Sequence, residues 1–403
     1  MAKKYTDILE KATRGFLDFQ NWSPRKKSVP AETLRVTGPY RGITGHDNAV
    51  RSIVRALTKA GAQIELHDLP GWTPTKLPVA TDEKIFEQFR RRLPARVHLH
   101  FCMPPQVRPS ARCLNINDTM FEATRLSPSW IEASLKSDLI VVPTKSSQRC
   151  WLESGMPEKK VKLCPRGVDF DLFSPDARPF AATTSDGKSV SQFRLRFLNV
   201  AESIYRKNLA GLLRAWISAT NFQDDAVLIL KIGFYAPGSR EKFEQQLRAL
   251  EKNPGKKLSE AAPIVFLDSF LTPEEMPGLY AMATHYWSMS RGEGFDLPML
   301  EAAASGLQLI APDHSAYQEY LNPQIAHLLP AREVPANIPD DAALNAFFAG
   351  ANWWEPDENV AVELIRGLVN GSIAPTQSAR AALLGKYSWD NVARRLLEII
   401  ERL

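Results

Sequence analysis

Two glutamates are separated by seven residues in the run Glu293-Gly294-Phe295-Asp296-Leu297-Pro298-Met299-Leu300-Glu301. An ionised carboxylate accepts hydrogen bonds and a hydroxyl donates them, so two carboxylates directed at one place suit a sugar and a ribose on either side of a phosphate. The residues around them fit a negatively charged ligand. Gly292 and Gly294 let the chain turn sharply and approach a ligand closely, and Pro298 suits the first turn of a helix whose free amides favour an anion. A plain loop followed by a glutamate that the helix dipole stabilises would use the same residue types. Two other groups could do chemistry. Asp169-Phe170-Asp171 has the form of an acidic metal motif, although two aspartates alone make a weak magnesium site. His98 and His100 end an apolar stretch, and alternation along a strand puts both on one face; His100 is assigned to the ligand-binding cleft, with a place in the core as the alternative.

These residues need a strand before Gly292 and a helix after it, and the pattern supplies both. A strand is predicted over 284–288, a helix after Pro298 and another strand over 307–311. The same alternation runs through most of the chain. A strand over 34–37 leads into the loop Gly38-Pro39-Tyr40-Arg41-Gly42-Ile43-Thr44-Gly45. A helix follows, with Val50, Ile53, Val54 and Leu57 at helical spacing and Gly61 as its cap. Residues 62–66 close a strand-helix-strand unit, and further strands are predicted over 96–101, 112–116 and 139–142. Between 165 and 192 the chain turns to Pro, Asp, Ser, Thr and Gly, a linker composition. Beyond it come strands over 193–200, 226–232 and 264–267, and helices from Leu209 and after Pro273. Ser388 caps a last amphipathic helix through Val392, Leu396, Ile399, Ile400 and Leu403. The expected class is α/β: an extension over 1–32, Rossmann-like domains over 33–185 and 186–385, and a closing helix over 386–403. Ligands of such sheets lie at the carboxyl ends of the strands. The glycine loop over 38–45 does not give G-x-G-x-x-G, which argues against a dehydrogenase.

In this strand-loop-helix setting, EGFDLPMLE resembles the donor-site signature of the glycosyltransferases of GT-B fold, in particular the retaining family 4, the group 1 glycosyltransferases. The resemblance implies two facing domains with a donor cleft between them and a last helix that crosses back to the first domain. It implies that Glu293 meets the transferred sugar, that amides near Gly294, Phe295, Asp296 and Leu297 meet sugar and diphosphate, and that Glu301 holds the ribose hydroxyls. Arg206-Lys207, after the first strand of the second domain, resembles the family's basic pair for the diphosphate. Two fixed cations can neutralise a departing diphosphate without a metal. The family often carries an arginine near the position of Ala201, where this chain has none, and Arg206 is given that role. Gly42 and Gly45 resemble the flexible loop that approaches the diphosphate from the first domain. Where many members place a histidine, within 117–125, this chain has Glu122, assigned to a sugar hydroxyl or to the acceptor, with an ion pair to Arg125 as the alternative. The stretch 165–175 resembles the family's junction between domains, which removes Asp169 and Asp171 from the metal candidates. Tyr387-Ser388-Trp389-Asp390 resembles the start of the last helix.

The implied activity is transfer of a hexose from a nucleoside-diphosphate sugar to a hydroxyl acceptor with retention, needing no cofactor or metal. The implied setting is bacterial polysaccharide or glycoconjugate synthesis, with GDP-mannose or a UDP-hexose as first donors to test and a saccharide or lipid-linked acceptor. A sugar-nucleotide epimerase, a glucan elongator or a degenerate binding module of the same fold are the alternatives. Composition agrees with a two-domain globular chain: 403 residues, 44% apolar, 24% charged, with a net charge of +5. No basic stripe suggests nucleic acid. Four cysteines without CxxC spacing predict reduced thiols. The charged start and the lack of a long apolar run predict a cytoplasmic protein, with peripheral membrane contact through Ile8, Leu9, Phe16, Trp22 and the basic residues Arg25, Lys26 and Lys27 as one reading of the extension.

Overall fold

The computed structural model describes residues 33–69, 71–72, 86–252, 255–339 and 341–403. The predicted N-terminal amphipathic helix and its membrane contact lie outside the described residues. The chain divides into two units. The first takes Met1–Gly167, Pro335–Asn352 and Tyr387–Leu403, and the second takes Val168–Val334 and Trp353–Lys386. The division thus falls at Val168, whereas composition suggested 186. The stretch that looks like a linker is bonded to the second unit: Phe180 donates its amide to Gly278 O at 2.8 Å, and Arg380 donates to the carbonyls of Phe170 and Phe173 at 2.9 and 2.8 Å. Proline and aspartate report local backbone preference and carry no record of such distant partners.

In the first unit, β1 (Thr33–Gly38), β2 (Gln63–Asp68), β3 (Val97–Phe101), β4 (Leu114–Asp118), β5 (Leu139–Val142) and β6 (Val161–Leu163) form one parallel sheet in the order β2-β1-β3-β4-β5-β6. The helix Gly45–Lys59 buries Val50, Ile53, Val54 and Leu57, as its spacing predicts. It ends on Gly61, whose φ of 98° lies in the left-handed region that glycine enters without strain. The last helix, Trp389–Glu401, belongs to this unit and packs on Gly45–Lys59. Its Val392, Leu396 and Ile400 are buried, and Lys59 reaches Asp390 at 2.5 Å. Gly167 lets the chain pass under this helix, since a Cβ there would stand 2.8 Å from the Trp389 amide nitrogen.

In the second unit, β7 (Leu195–Glu202), β8 (Ala226–Gly233), β9 (Ile264–Leu267), β10 (His285–Trp287), β11 (Gln308–Pro312) and β12 (His327–Leu329) form a parallel sheet in the order β12-β11-β10-β7-β8-β9. Its core gathers Phe197, Leu228, Leu230 and Ile310 around Trp216 of the helix Leu209–Ala219, whose indole donates to Ala262 O at 2.9 Å. The strand order reverses between β7 and β10. Connections leave these two neighbours in opposite directions, so their carboxyl ends frame the crevice in which sheets of this kind hold ligands. All four cysteines are free and buried.

Candidate active site

The loops that follow β7 and β10 meet at this reversal. After β7, Arg206 and Lys207 lie on a single 3-10 turn, Tyr205–Lys207, and Asn208 turns the chain into the next helix with φ 52°. The Asn208 side chain accepts the Gly211 amide at 3.2 Å. Position 211 must be glycine for this approach, because a Cβ would lie 2.6 Å from Asn208 Oδ1. The second loop is fastened to the first. The Arg291 amide donates to Arg206 O at 2.8 Å, and the Arg291 guanidinium bridges Glu355, at 2.6 and 3.0 Å, and Tyr205 O, at 2.9 Å. Arg291 is therefore a brace for both loops.

Glu293 stands between the two cations. Its Oε1 lies 2.5 Å from Lys207 Nζ and its Oε2 lies 3.0 Å from Arg206, while Arg206 also donates to Gly292 O. Burial works against the Glu293 charge, but Lys207 and then Arg206 outweigh it and hold the carboxyl down to about 2. The other two carboxyls go the opposite way. Burial pushes Asp296 up to about 6 in spite of Lys207, with the nearby Glu293 charge adding to the rise. Burial also pushes Glu301 up to about 7, although Tyr280 donates to its Oε2 at 2.6 Å. Phe295 is buried against Tyr320 at 5.2 Å between ring centroids. Gly294 is buried, and Leu297 begins the helix Leu297–Ala304 with Pro298 in its first turn.

Among the described residues, three that are not glycine have positive φ: Asn208, Asp296 and Ser315. All three are at this site. Ser315 Oγ accepts the Glu293 amide at 3.4 Å and lies 2.7 Å from His314 Nδ1. Burial lowers His314 to about 4, and its Nε2 lies 2.7 Å from Ser290 O. Left-handed backbone away from glycine is costly and persists where surrounding contacts impose it, a pattern that marks functional loops. Spacing within the sequence did not single out His314, Ser315, Tyr317, Tyr320 or Tyr280. The first four directly follow the strand predicted over 307–311, and the rule that places ligands at strand ends would have pointed to them.

The candidates in the first unit have settings of their own. Gly42 is buried, its amide donates to Asp47 Oδ1 at 2.8 Å and its carbonyl accepts from Arg51 at 2.7 Å. The loop expected to be flexible is thus braced by the helix it precedes. Gly45 is exposed at the first position of that helix. His98 and His100 do share a face, with ring centroids 3.7 Å apart. His100 is 1% exposed and lies 3.3 Å from Asn115 Oδ1, so its ring is part of the sheet's interior. Burial lowers it to about 4. Glu122 is half-buried in the loop after β4, where its charge reaches Cys150. The Asp169 carboxylate accepts the amides of Asp171 and Leu172 at 3.0 and 2.9 Å, which makes it a turn-forming residue.

Residues 194–342, which include Arg206, Lys207, Glu293, Asp296 and Glu301, match the family described as glycosyl transferases group 1. The matched stretch falls mostly within the second unit. Over 187 residues the chain is 26% identical to the MMP alpha-(1->4)-mannosyltransferase of Mycolicibacterium hassiacum, covering 46% of this chain and 39% of that relative. The match therefore spans less than half of the curated relative's length. Among solved structures, Anabaena HepE in complex with UDP and glucose matches with a TM-score of 0.57 at 12% identity, covering 92% of this chain and all 100% of that one. The sucrose-phosphate synthase of Thermosynechococcus elongatus matches with a TM-score of 0.59 at 15% identity, covering 92% and 98%. The two parallel sheets with their helices thus have the α/β architecture of the GT-B glycosyltransferases. No described helix is long and apolar enough to cross a membrane.

Proposed function

We propose that this chain transfers a hexose from a nucleoside-diphosphate sugar to a hydroxyl of a saccharide or lipid-linked acceptor, with retention and without a metal. The observation that carries this reading is the convergence of Arg206 and Lys207 on the buried Glu293 carboxylate at the strand-order reversal of a group 1 domain. The curated relative is named for mannosyl transfer, and HepE is described with UDP and glucose; both names fit a hexosyl donor.

In such a reaction the bond from the sugar's anomeric carbon to the diphosphate oxygen breaks, and a bond to the acceptor oxygen forms on the same face. The acceptor proton passes to the departing phosphate. The negative charge that develops there needs fixed cations, which are worth most in a buried place. Arg206 and Lys207 supply them. A diphosphate presents several anionic oxygens and competes with Glu293 for both. Glu293 is ionised at neutral pH and cannot donate a proton, so its part is to accept hydrogen bonds from the sugar and hold it in position. Glu301, one residue past the first turn of its helix, would accept the ribose hydroxyls.

The test is to incubate the purified protein with UDP-, GDP- and dTDP-sugars, with and without EDTA, and to follow nucleoside diphosphate release and the anomeric configuration of the product by NMR. Lys207→Ala and Glu293→Ala are expected to lower turnover about a hundredfold or more with the productive donor. Full turnover by either variant would remove these residues from the mechanism.

A further inference from the structure

One carboxylate oxygen in the loop after β10 has no hydrogen bond. The Asp296 side chain is 2% exposed, and its Oδ2 accepts the Tyr317 hydroxyl at 2.8 Å. Since the single Tyr317 proton goes to Asp296, the Ser288 hydroxyl, 2.7 Å away, donates to Tyr317 in turn. Asp296 Oδ1 has no donor and stands 3.8 Å from Lys207 Nζ, beyond hydrogen-bond reach. The same residue has φ 63°, which glycine would adopt without strain. Its backbone is held by the Tyr320 hydroxyl, which donates to Phe295 O at 3.0 Å and lies 3.4 Å from Asp296 O. A buried acceptor without a donor and a strained backbone both cost stability. Where they coincide at one residue beside Glu293, a ligand is the natural source of compensation.

We propose that Asp296 Oδ1 accepts a hydrogen bond from a hydroxyl of the donor sugar, and that Asp296 thereby selects hexoses that carry this hydroxyl over their deoxy forms. The inference rests on the nucleotide-sugar reading of the site. Charge decides which part of the donor is met. A carboxylate repels diphosphate oxygens, and Lys207 already supplies the local cation, so the partner is a neutral donor group, which on a sugar nucleotide is a sugar hydroxyl. A protein oxygen built to receive a hydroxyl rejects the analogue that lacks it, because the buried acceptor is then left unpaired. Tyr317 is a positioning residue that fixes the carboxylate through Oδ2 and leaves Oδ1 facing the ligand.

The experiment is calorimetric titration of wild type, Asp296→Gly and Tyr317→Phe with UDP, GDP, UDP-glucose, GDP-mannose and the monodeoxy analogues of whichever sugar nucleotide binds. For Asp296→Gly, affinity for the sugar nucleotide is expected to fall roughly tenfold or more, while affinity for the matching diphosphate does not fall, since the charge removed is one that repels phosphate. One monodeoxy analogue should bind wild type as weakly as the parent binds the glycine variant, and should lose nothing further in that variant. Tyr317→Phe should reduce sugar-nucleotide affinity and spare the diphosphate, which a general loss of structure would not do. The melting temperature of Asp296→Gly should equal or exceed that of wild type, since glycine relieves the strained φ. If every analogue loses equally in wild type and Asp296→Gly, the inference fails while the nucleotide-sugar reading stands. If wild type binds none of these nucleotides, both fail.

Discussion

Glu301, the carboxyl proposed to hold the ribose, is buried at a cost to the fold. Burial pushes it up to about 7 from 4.5. A carboxyl raised in this way stabilises the folded chain while protonated; its contribution is complete below pH 4.5 and is lost as pH rises through 7. Glu301→Gln keeps an oxygen for the Tyr280 hydroxyl and has no charge to bury. Its melting temperature relative to wild type is therefore expected to climb between pH 5 and 8, by the equivalent of on the order of 3 kcal/mol. The titrations of the buried histidines are common to both proteins and cancel in the difference, Asp296 enters it only through its repulsion of the Glu301 charge, and Glu293, held near 2, titrates below this window. A difference that does not change with pH would show that Glu301 is not strained by its burial. Residue types and spacing drew attention to Glu293 and Glu301, and the family resemblance to Lys207, because a loop between strand and helix is a local feature. The Tyr280, Ser315 and Tyr317 partners, and the occupation of both cations by Glu293, depend on strands meeting across the sheet, and nothing in the local pattern encodes that.

At the scale of an element, the glycine-rich loop after β1 is held by its own helix. Asp47, fully buried, accepts from the amides of Gly42 and Thr44 at 2.8 and 3.2 Å and from the Thr44 hydroxyl, and Arg51 donates to the carbonyls of Tyr40 and Gly42. Asp47→Ala removes the capping box and leaves two amides without acceptors, at an expected cost of about 1–3 kcal/mol. Hydrogen exchange of a peptide covering residues 40–46 should accelerate in this variant while β8 is unaffected; unchanged exchange would mean that the loop is fastened elsewhere. The strands β1 to β5 and β7 to β11 stand close to where apolar runs place them, because buried parallel strands are continuous hydrophobic segments. β6 and β12 have three residues each and no period to read. The helices Lys145–Glu153 and Glu358–Val369 lie outside the predicted elements, and the order of strands in either sheet is a property of long-range pairing.

At the scale of the whole molecule, the first unit is assembled from three separate stretches of chain, and the last of them arrives only with the final helix. That helix buries Val392, Leu396, Ile399 and Ile400. At about 1.5–3 kcal/mol for each large apolar side chain, their loss would remove roughly 6–12 kcal/mol, as much as an ordinary domain has in total. Truncation after Lys386 is therefore expected to abolish hydrogen-exchange protection in β1, β3 and β4. The second unit keeps its own core around Trp216, and it holds Arg206, Lys207, Glu293, Asp296 and Glu301 in the loops and the helix that follow the strands of one sheet. Protection of β7 and β8, and binding of UDP or GDP, should survive the truncation, while turnover should not, because the proposed transfer needs an acceptor side that the second unit does not supply. If β7 and β8 lose protection together with β1, the two units fold as one cooperative body.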